Sequence, residues 1–531
     1  MVLDIGAIPG GSLTDRRAES MHGRLAEPVT WTKTNRVVFA GFVVSVFASL
    51  AWIVHPWFDV SVDASIYIIT ARSLAAGEGY AYLGEPFLLR PPGFPVLLAP
   101  ILATVGTDFL ALNFFVALCG AAGVVLLFFF ERPRLGFGLA LLVALAVWLN
   151  PGYQRLTTQV MSDVPGATLM LACLLVERWA RAAPSGRREV VLGLCVGLST
   201  YVRSALVLLV PAIALSRLLL RDRARDPSWL RFAARQWLPF AAVALLVLAP
   251  WSIRDRLHAT SDPAEQTLFH SYGVAMSHVD PADPGSPLLG PAEILGRIPT
   301  RVRQVTEVLA DRMKNDRGNF EPRDAFPPAQ VAFALCVLGS SWVVLWRRRE
   351  PAELFVLASL FVIVTYFGFG SRLLLPVYLL SLPAAVEILR ELAVRGVGSR
   401  AGELVAAVIV LQLIALDFEP RRSWTEIERE HREYVEFSRA IASAVGPDER
   451  LGTAMGAPYS VFLERPVYSL HHAARRSDSV DAAERIIERH HLDAIALSSE
   501  TPFQRALASY LRGQYGAPER VGPALVWRIP K

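Results

Sequence analysis

Asp63 stands just past the first long apolar run of the chain, in the segment Asp63-Ala-Ser-Ile-Tyr67. On a helix, residues four apart share a face, so Tyr67 lies one turn beyond Asp63 on the same side. A carboxylate placed there is able to take a proton from an acceptor hydroxyl or amine as a general base. The plain alternative is that Asp63 caps a helix beginning at Ala64, a common position for Asp; the residues alone leave both readings open. A second acidic position lies in Ser162-Asp163-Val-Pro165. Asp followed by Pro is a helix-start pattern, and a helix N-terminus also favours anions such as phosphate.

Three arginines complete the set. Arg203 interrupts an apolar region at Tyr201-Val-Arg-Ser204, Arg372 lies in Gly370-Ser-Arg-Leu-Leu-Leu-Pro376, and Arg254 follows Ala249-Pro-Trp251. Guanidinium groups suit bidentate phosphate binding. A single arginine at a membrane edge more often snorkels to headgroups, but three on one side, together with two carboxylates, point to a site. Tyr80 and Arg90, in Gly77-Glu-Gly79-Tyr80 and Arg90-Pro91-Pro92-Gly93-Phe94-Pro95, share a loop with Asp63 and line the same expected pocket. The adjacent pairs His471-His472 and His490-His491 diverge on any regular element and make poor metal sites. No Walker, GxSxG or HExxH motif occurs.

The elements that must position these residues are membrane spans. The 531 residues are 53% hydrophobic and only 19% charged, and apolar runs of about 18 residues or more read as transmembrane helices. Eleven spans are expected, near 37–55, 109–130, 135–150, 164–180, 189–202, 204–220, 236–251, 328–346, 352–370, 372–390 and 403–417. The polar first 35 residues are expected to be a cytoplasmic tail without a cleavable signal, so the following run stays as a span. The net charge of +5 is mostly arginine between spans, which we read as topology rather than nucleic-acid binding. Clusters such as Arg347–Arg349 fall on one side if residues 94–106 form an interfacial helix that does not cross. Outer loops 56–93 and 255–327 and an extracytoplasmic domain at 418–531 follow. Short runs at Ala494–Leu497 and 524–527 read as strands, and 479–491 as an amphipathic helix, giving a small α/β domain.

The order of these motifs resembles the GT-C fold membrane glycosyltransferases, in particular the protein O-mannosyltransferases and lipid A aminoarabinose transferases of the family 39 type. The matching residues are Asp63 with Tyr67, Ala71-Arg72-Ser-Leu, Gly77-x-Gly79-Tyr80, Arg90-Pro-Pro-Gly-Phe-Pro95, Asp163-x-Pro165, Gly197-Leu-Ser-Thr-Tyr-Val-Arg203, Ala249-Pro-Trp251-x-x-Arg254 and Arg372-x-Leu-Leu-Pro376. The resemblance implies a polytopic α-helical GT-C protein with a C-terminal α/β domain. It implies an inverting hexosyl- or pentosyltransferase at the outer face of a bacterial inner membrane, acting in the cell envelope. The donor would be a sugar on polyprenyl phosphate, and the acceptor a protein, glycan or lipid. Asp63 would be the base, Asp163 would support the acceptor or the pocket's electrostatics, and Arg203, Arg372 and Arg254 would hold the donor phosphate. The long loop 255–327 would cover the acceptor. Many relatives carry a second acidic residue directly after the first, where this chain has Ala64; Asp59 would then have to substitute. No cofactor is required by the resemblance, with room left for a divalent metal. The competing readings are a transporter or flippase, which should show internal symmetry, and an assembly protein in which Asp63 is only a cap.

Overall fold

The computed structural model describes residues 31–221, 228–258, 277–279, 286–313, 328–366, 368, 370–417, 424–470, 480–498 and 501–530. Most of the expected N-terminal tail, most of loop 255–327, the junction at 418–423 and the pair His471-His472 lie outside the described residues.

Helix occupies every expected span. The first, α1 (Lys33–Ile53), starts where the Thr32 side chain accepts a hydrogen bond from the Asn35 N–H. It buries one stripe, Phe42, Val46, Leu50 and Ile53, while Val37, Val44 and Trp52 on its other faces stay exposed. A helix that is apolar all round and buried on one side needs an apolar solvent on the other. After α2 (Val62–Ala75), a two-stranded hairpin, β1 (Ala81–Tyr82) with β2 (Glu85–Pro86), leads to α3 (Gly93–Val105). This is the helix expected at the interface; it leaves Val96, Leu97 and Val105 exposed.

The long helix α4 (Phe109–Leu149) bends at Gly136 (φ 79°), three residues after Pro133, which divides it into the two spans read from the sequence. A short helix, α5 (Pro151–Thr157), links it to α6 (Asp163–Ala182) and α7 (Gly186–Val202). A 3-10 turn (Ser204–Leu208) then opens α8 (Leu209–Leu219), followed by α9 (Trp229–Gln236) and α10 (Leu238–His258). Within the expected outer loop lies a helix the sequence reading did not identify, α11 (Pro291–Ala310), whose C-terminal half is buried. Next come α12 (Pro328–Arg348), α13 (Pro351–Thr365), a 3-10 turn (Ser371–Leu374) opening α14 (Leu375–Val397), and α15 (Ser399–Asp417). Six of the described helices are long and apolar enough to cross a membrane. The protein is a polytopic membrane protein.

The bundle end away from Asp63 is tied by buried charge. Arg134, in the bend of α4, pairs with Glu350, with Glu353 at 3.2 Å and with Glu131 at 3.6 Å. Arg217 of α8 reaches Glu189 of α7 at 2.7 Å and Glu177 of α6 at 3.6 Å, while Arg348 pairs with Glu387. These pairs hold α4, α6, α7, α8, α12, α13 and α14 in register.

After the spans, α16 (Thr425–Ala444) leads into a five-stranded sheet of order β4-β3-β5-β7-β6. Its strands are β3 (Leu451–Thr453), β4 (Val467–Ser469), β5 (Ala494–Leu497), β6 (Glu519–Val521) and β7 (Ala524–Arg528). The helices α17 (Gly456–Leu463), α18 (Val480–Arg489) and α19 (Pro502–Tyr515) connect them. β3 pairs in parallel with β4 and β5, and β7 is antiparallel to both β5 and β6. Phe437, Ile441, Leu451 and Val526 pack on one face of the sheet, and Ile487, Ile495, Leu507 and Trp527 on the other.

Replacing Arg134 by Ala would leave Glu131, Glu350 and Glu353 buried beside a missing cation. Breaking a buried pair from one side costs roughly 3–5 kcal/mol. Denaturant unfolding in detergent micelles should show a large loss for Arg134→Ala and none beyond error for Arg429→Ala, in the exposed Arg429–Glu433 pair of α16. Equal effects would mean that the network does not carry stability.

Candidate active site

The helix that carries Asp63 is capped by another residue. Ser61 accepts a hydrogen bond from the Ala64 N–H at 3.1 Å, so α2 begins at Val62. The reading of Asp63 as the cap is therefore overturned. Asp63 lies in the first turn, where the helix dipole favours its charge, and its side chain is free to reach other elements. One carboxylate oxygen, Oδ1, accepts from Arg90 at 2.5 Å, and the other, Oδ2, accepts from Arg372. Burial pushes the Asp63 carboxyl upward, but Arg90 and Arg372 outweigh it and hold the group well below the usual carboxylate range.

Arg90 is fixed by the loop around it. The Tyr80 hydroxyl donates to the Arg90 carbonyl at 3.0 Å, and the guanidinium lies 5.2 Å from the centre of the Tyr67 ring. Two prolines follow, and Gly93 then starts α3 against the end of α7: a Cβ there would stand 2.5 Å from the Tyr201 carbonyl carbon. That close approach brings the Arg90 loop beside Arg203. Arg254 stands apart from the carboxylates. It donates to the carbonyls of Phe87 at 2.8 Å and Tyr80 at 2.9 Å, so it clamps the loop.

Asp163 is the first residue of α6, and its Oδ1 lies 2.6 Å from Arg203, with both side chains largely buried. Ser162 precedes it without capping through its side chain; its hydroxyl instead meets the Tyr67 hydroxyl at 2.9 Å. Arg203 has extended backbone between α7 and the following 3-10 turn, and its side chain lies across Gly166, where a Cβ would come within 2.6 Å of its Cδ. Arg372 also feels the Asp163 charge and donates to the Met161 sulfur at 3.5 Å. Asp63, Arg372, Asp163 and Arg203 thus form one connected group, with Arg90 and Tyr67 at its edge.

Asp59 belongs to a second cluster. Its Oδ2 accepts from Gln159 at 2.6 Å and from Arg155 at 3.4 Å. It does not join Asp63 as a second carboxylate, which the sequence had left open. Sequence reasoning missed Arg155 and Gln159 as its partners, and a local pattern has no way to signal contacts across about a hundred residues. Among the described residues no three His, Cys, Asp or Glu side chains group to hold a metal. Asp63 has both oxygens on arginines, and Asp59 lies elsewhere. This donor set does not fit a divalent cation.

The geometry can be set beside known proteins. Residues 89–253 match the family model of dolichyl-phosphate-mannose-protein mannosyltransferase; the match includes Arg90, Asp163 and Arg203 and leaves Asp63 and Arg372 outside. None of the curated proteins compared with the chain matches it in sequence. Among solved structures, ArnT from Cupriavidus metallidurans bound to undecaprenyl phosphate aligns with a TM-score of 0.59 at 12% identity, over 94% of this chain and 100% of that one. The archaeal oligosaccharyltransferase AglB from Archaeoglobus fulgidus, in complex with an inhibitory peptide and a dolichol-phosphate, aligns with a TM-score of 0.53 at 11% identity. That alignment covers 90% of this chain and 72% of AglB. Identities this low speak to fold alone, and over nearly its whole length the chain has the fold of the GT-C membrane glycosyltransferases.

Proposed function

We propose that this protein is a glycosyltransferase that moves a sugar from a polyprenyl-phosphate donor to an acceptor at the outer face of the membrane. The observation that carries the reading is the joined group of two carboxylates and three arginines at one end of a GT-C bundle. The orientation proposed puts the N-terminus in the cytoplasm and residues 418–531 outside, in a bacterial inner membrane.

Asp63 takes the proton from the acceptor hydroxyl or amine. The acceptor atom forms its bond to the anomeric carbon from the face opposite the phosphate. The bond from that carbon to the phosphate oxygen breaks, and the electron pair leaves with polyprenyl phosphate. Arg372 and Arg203 stabilise the charge that develops on the leaving oxygen. Asp163 keeps Arg203 in place and balances the pocket. Arg254 acts on the loop rather than on the phosphate, since it is engaged by the Phe87 and Tyr80 carbonyls.

A carboxylate gripped by two arginines is a weak base. The donor phosphate competes with Asp63 for Arg372, whose side chain is 29% exposed and so the more accessible partner. Once Arg372 turns to the phosphate, Asp63 keeps only Arg90 and becomes more basic. Donor binding therefore prepares the base for the acceptor.

Membranes containing the full chain, supplied with a polyprenyl-phosphate sugar pool and envelope acceptors, should show sugar transfer that Asp63→Asn abolishes at equal expression. Loss of about 100-fold or more fits removal of a general base; transfer that survives would remove Asp63 from the mechanism. The acid limb of kcat/KM should lie below the usual carboxylate range, because a lowered pKa keeps Asp63 ionised as pH falls until that value is crossed. Arg372→Gln should move this limb to higher pH. A limb that stays in place would mean that Asp63 and Arg372 are not coupled in the working enzyme.

A further inference from the structure

Arg72, nine residues after Asp63 on the same helix, takes no part in the pocket. Its guanidinium leaves the membrane domain and meets the C-terminal domain, where its two terminal nitrogens donate to the carbonyls of Ser460 at 3.3 Å and Val461 at 3.1 Å. Both carbonyls belong to the last turn of α17, whose final C=O groups have no partner within the helix. A cation is favoured at this end of a helix. The same guanidinium donates to the Thr107 hydroxyl at 2.8 Å, and Thr107 donates to Glu464, the residue that ends α17 with φ 54°. Glu464 also lies 3.6 Å from Arg72. One side chain on α2 therefore joins α17 to the turn between α3 and α4.

The other contacts of α2 point the same way. Ala457, at the start of α17, is buried among Ile66, Tyr80, Tyr82, Phe87 and Leu89 of the first loop. Ahead of α2, the Phe58 N–H donates to Nδ1 of His431 on α16. The C-terminal domain holds α2 along its length and holds the strand of chain that enters it. Asp63 must meet Arg90 from the loop before α3 and Arg372 from the start of α14, so its aim depends on where α2 lies.

We propose that Arg72 is a positioning residue: by capping α17 it fastens α2 to the C-terminal domain and so sets Asp63 between Arg90 and Arg372. The domain is then part of the catalytic frame. This inference rests on the reading of Asp63 as the base.

The test uses the full chain in lipid nanodiscs, with Arg72→Ala and Arg72→Lys compared for folded fraction, kcat, KM for donor and acceptor, and the acid limb of the rate. The groups that face Asp63 are Arg90 and Arg372, with Asp163 and Arg203 beyond them and Tyr67 on its own helix, and none is altered by these variants. Arg72→Ala should lower kcat per folded molecule about 10- to 100-fold, as expected for a reacting group moved by about an ångström. It should also shift the acid limb upward, because Asp63 loses its grip on the two arginines, while the donor KM changes little. Arg72→Lys keeps the charge but not the fork, and should recover part of kcat. If kcat per folded molecule and the acid limb are unchanged, Arg72 serves only stability and the proposal is wrong. Should Arg72→Ala fail to fold, Arg72→Lys decides by the same two readings. Transfer that survives Asp63→Asn removes the base reading itself, an outcome distinct from failure of the Arg72 variants alone.

Discussion

A carboxylate cannot stay charged in a largely buried place unless opposite charge is held against it. Asp63 meets that condition with Arg90 and Arg372, and the second is 309 residues away in sequence. Much of the upper bundle can be understood as the means of keeping these groups together. The Arg254 clamp and the Tyr80 hydroxyl fix the Arg90 loop, and Gly93 lets that loop sit against α7. The 3-10 turn at Ser371–Leu374 presents Arg372 at the head of α14. Tyr67 and Ser162 join α2 to the start of α6, which carries Asp163.

The opposite end of the bundle uses the same physics for a different result. There Arg134, Arg217 and Arg348 are matched by glutamates, the first two almost fully buried and the third partly so. That end is fixed, whereas at the Asp63 end Arg372 remains partly exposed. The contrast places rigidity where seven helices must stay in register and, on the proposed reading, leaves the adjustable ion pair where the charged donor enters.

The helices at the expected spans were legible because a helix surrounded by lipid must be apolar over a fixed length. Strand β5 was legible because it is buried on both faces and so reads as an unbroken apolar run, Ala494–Leu497. β3 and β6 were not, since three residues give no periodicity to read. Helix α11 was missed because Pro291, Pro299 and many polar residues hide its period. At the site, residue types pointed to Asp63, Asp163, Arg203 and Arg372, and the structure brings these four together. What the sequence left undecided was pairing. For Asp63 base and cap stayed open until Ser61 was seen to cap, and Arg254 looked like its fellow arginines until its carbonyl partners were visible. Such distinctions depend on contacts between distant segments, which no local pattern records.

On the proposed reading, the charges of the pocket suit the reaction. Arg90, Arg203 and Arg372 bring three positive charges, and Asp63 and Asp163 two negative ones; Asp59 and Arg155 cancel separately. The sum is one positive charge, and a sugar linked through a phosphodiester carries one negative charge. The loaded pocket is neutral. When Asp63 takes the acceptor proton it becomes neutral, and the departing polyprenyl phosphate gains a second negative charge. The pocket is neutral again, so the reaction moves charge from Asp63 to phosphate without creating any in a poorly solvated place, where an unbalanced charge is costly. Arg372 touches Asp63 in the resting state and on this reading serves the phosphate in the product state. A neutral residue in place of Arg372 would leave the final state with an extra negative charge, and Asp163 paired with Arg203 could not offset it.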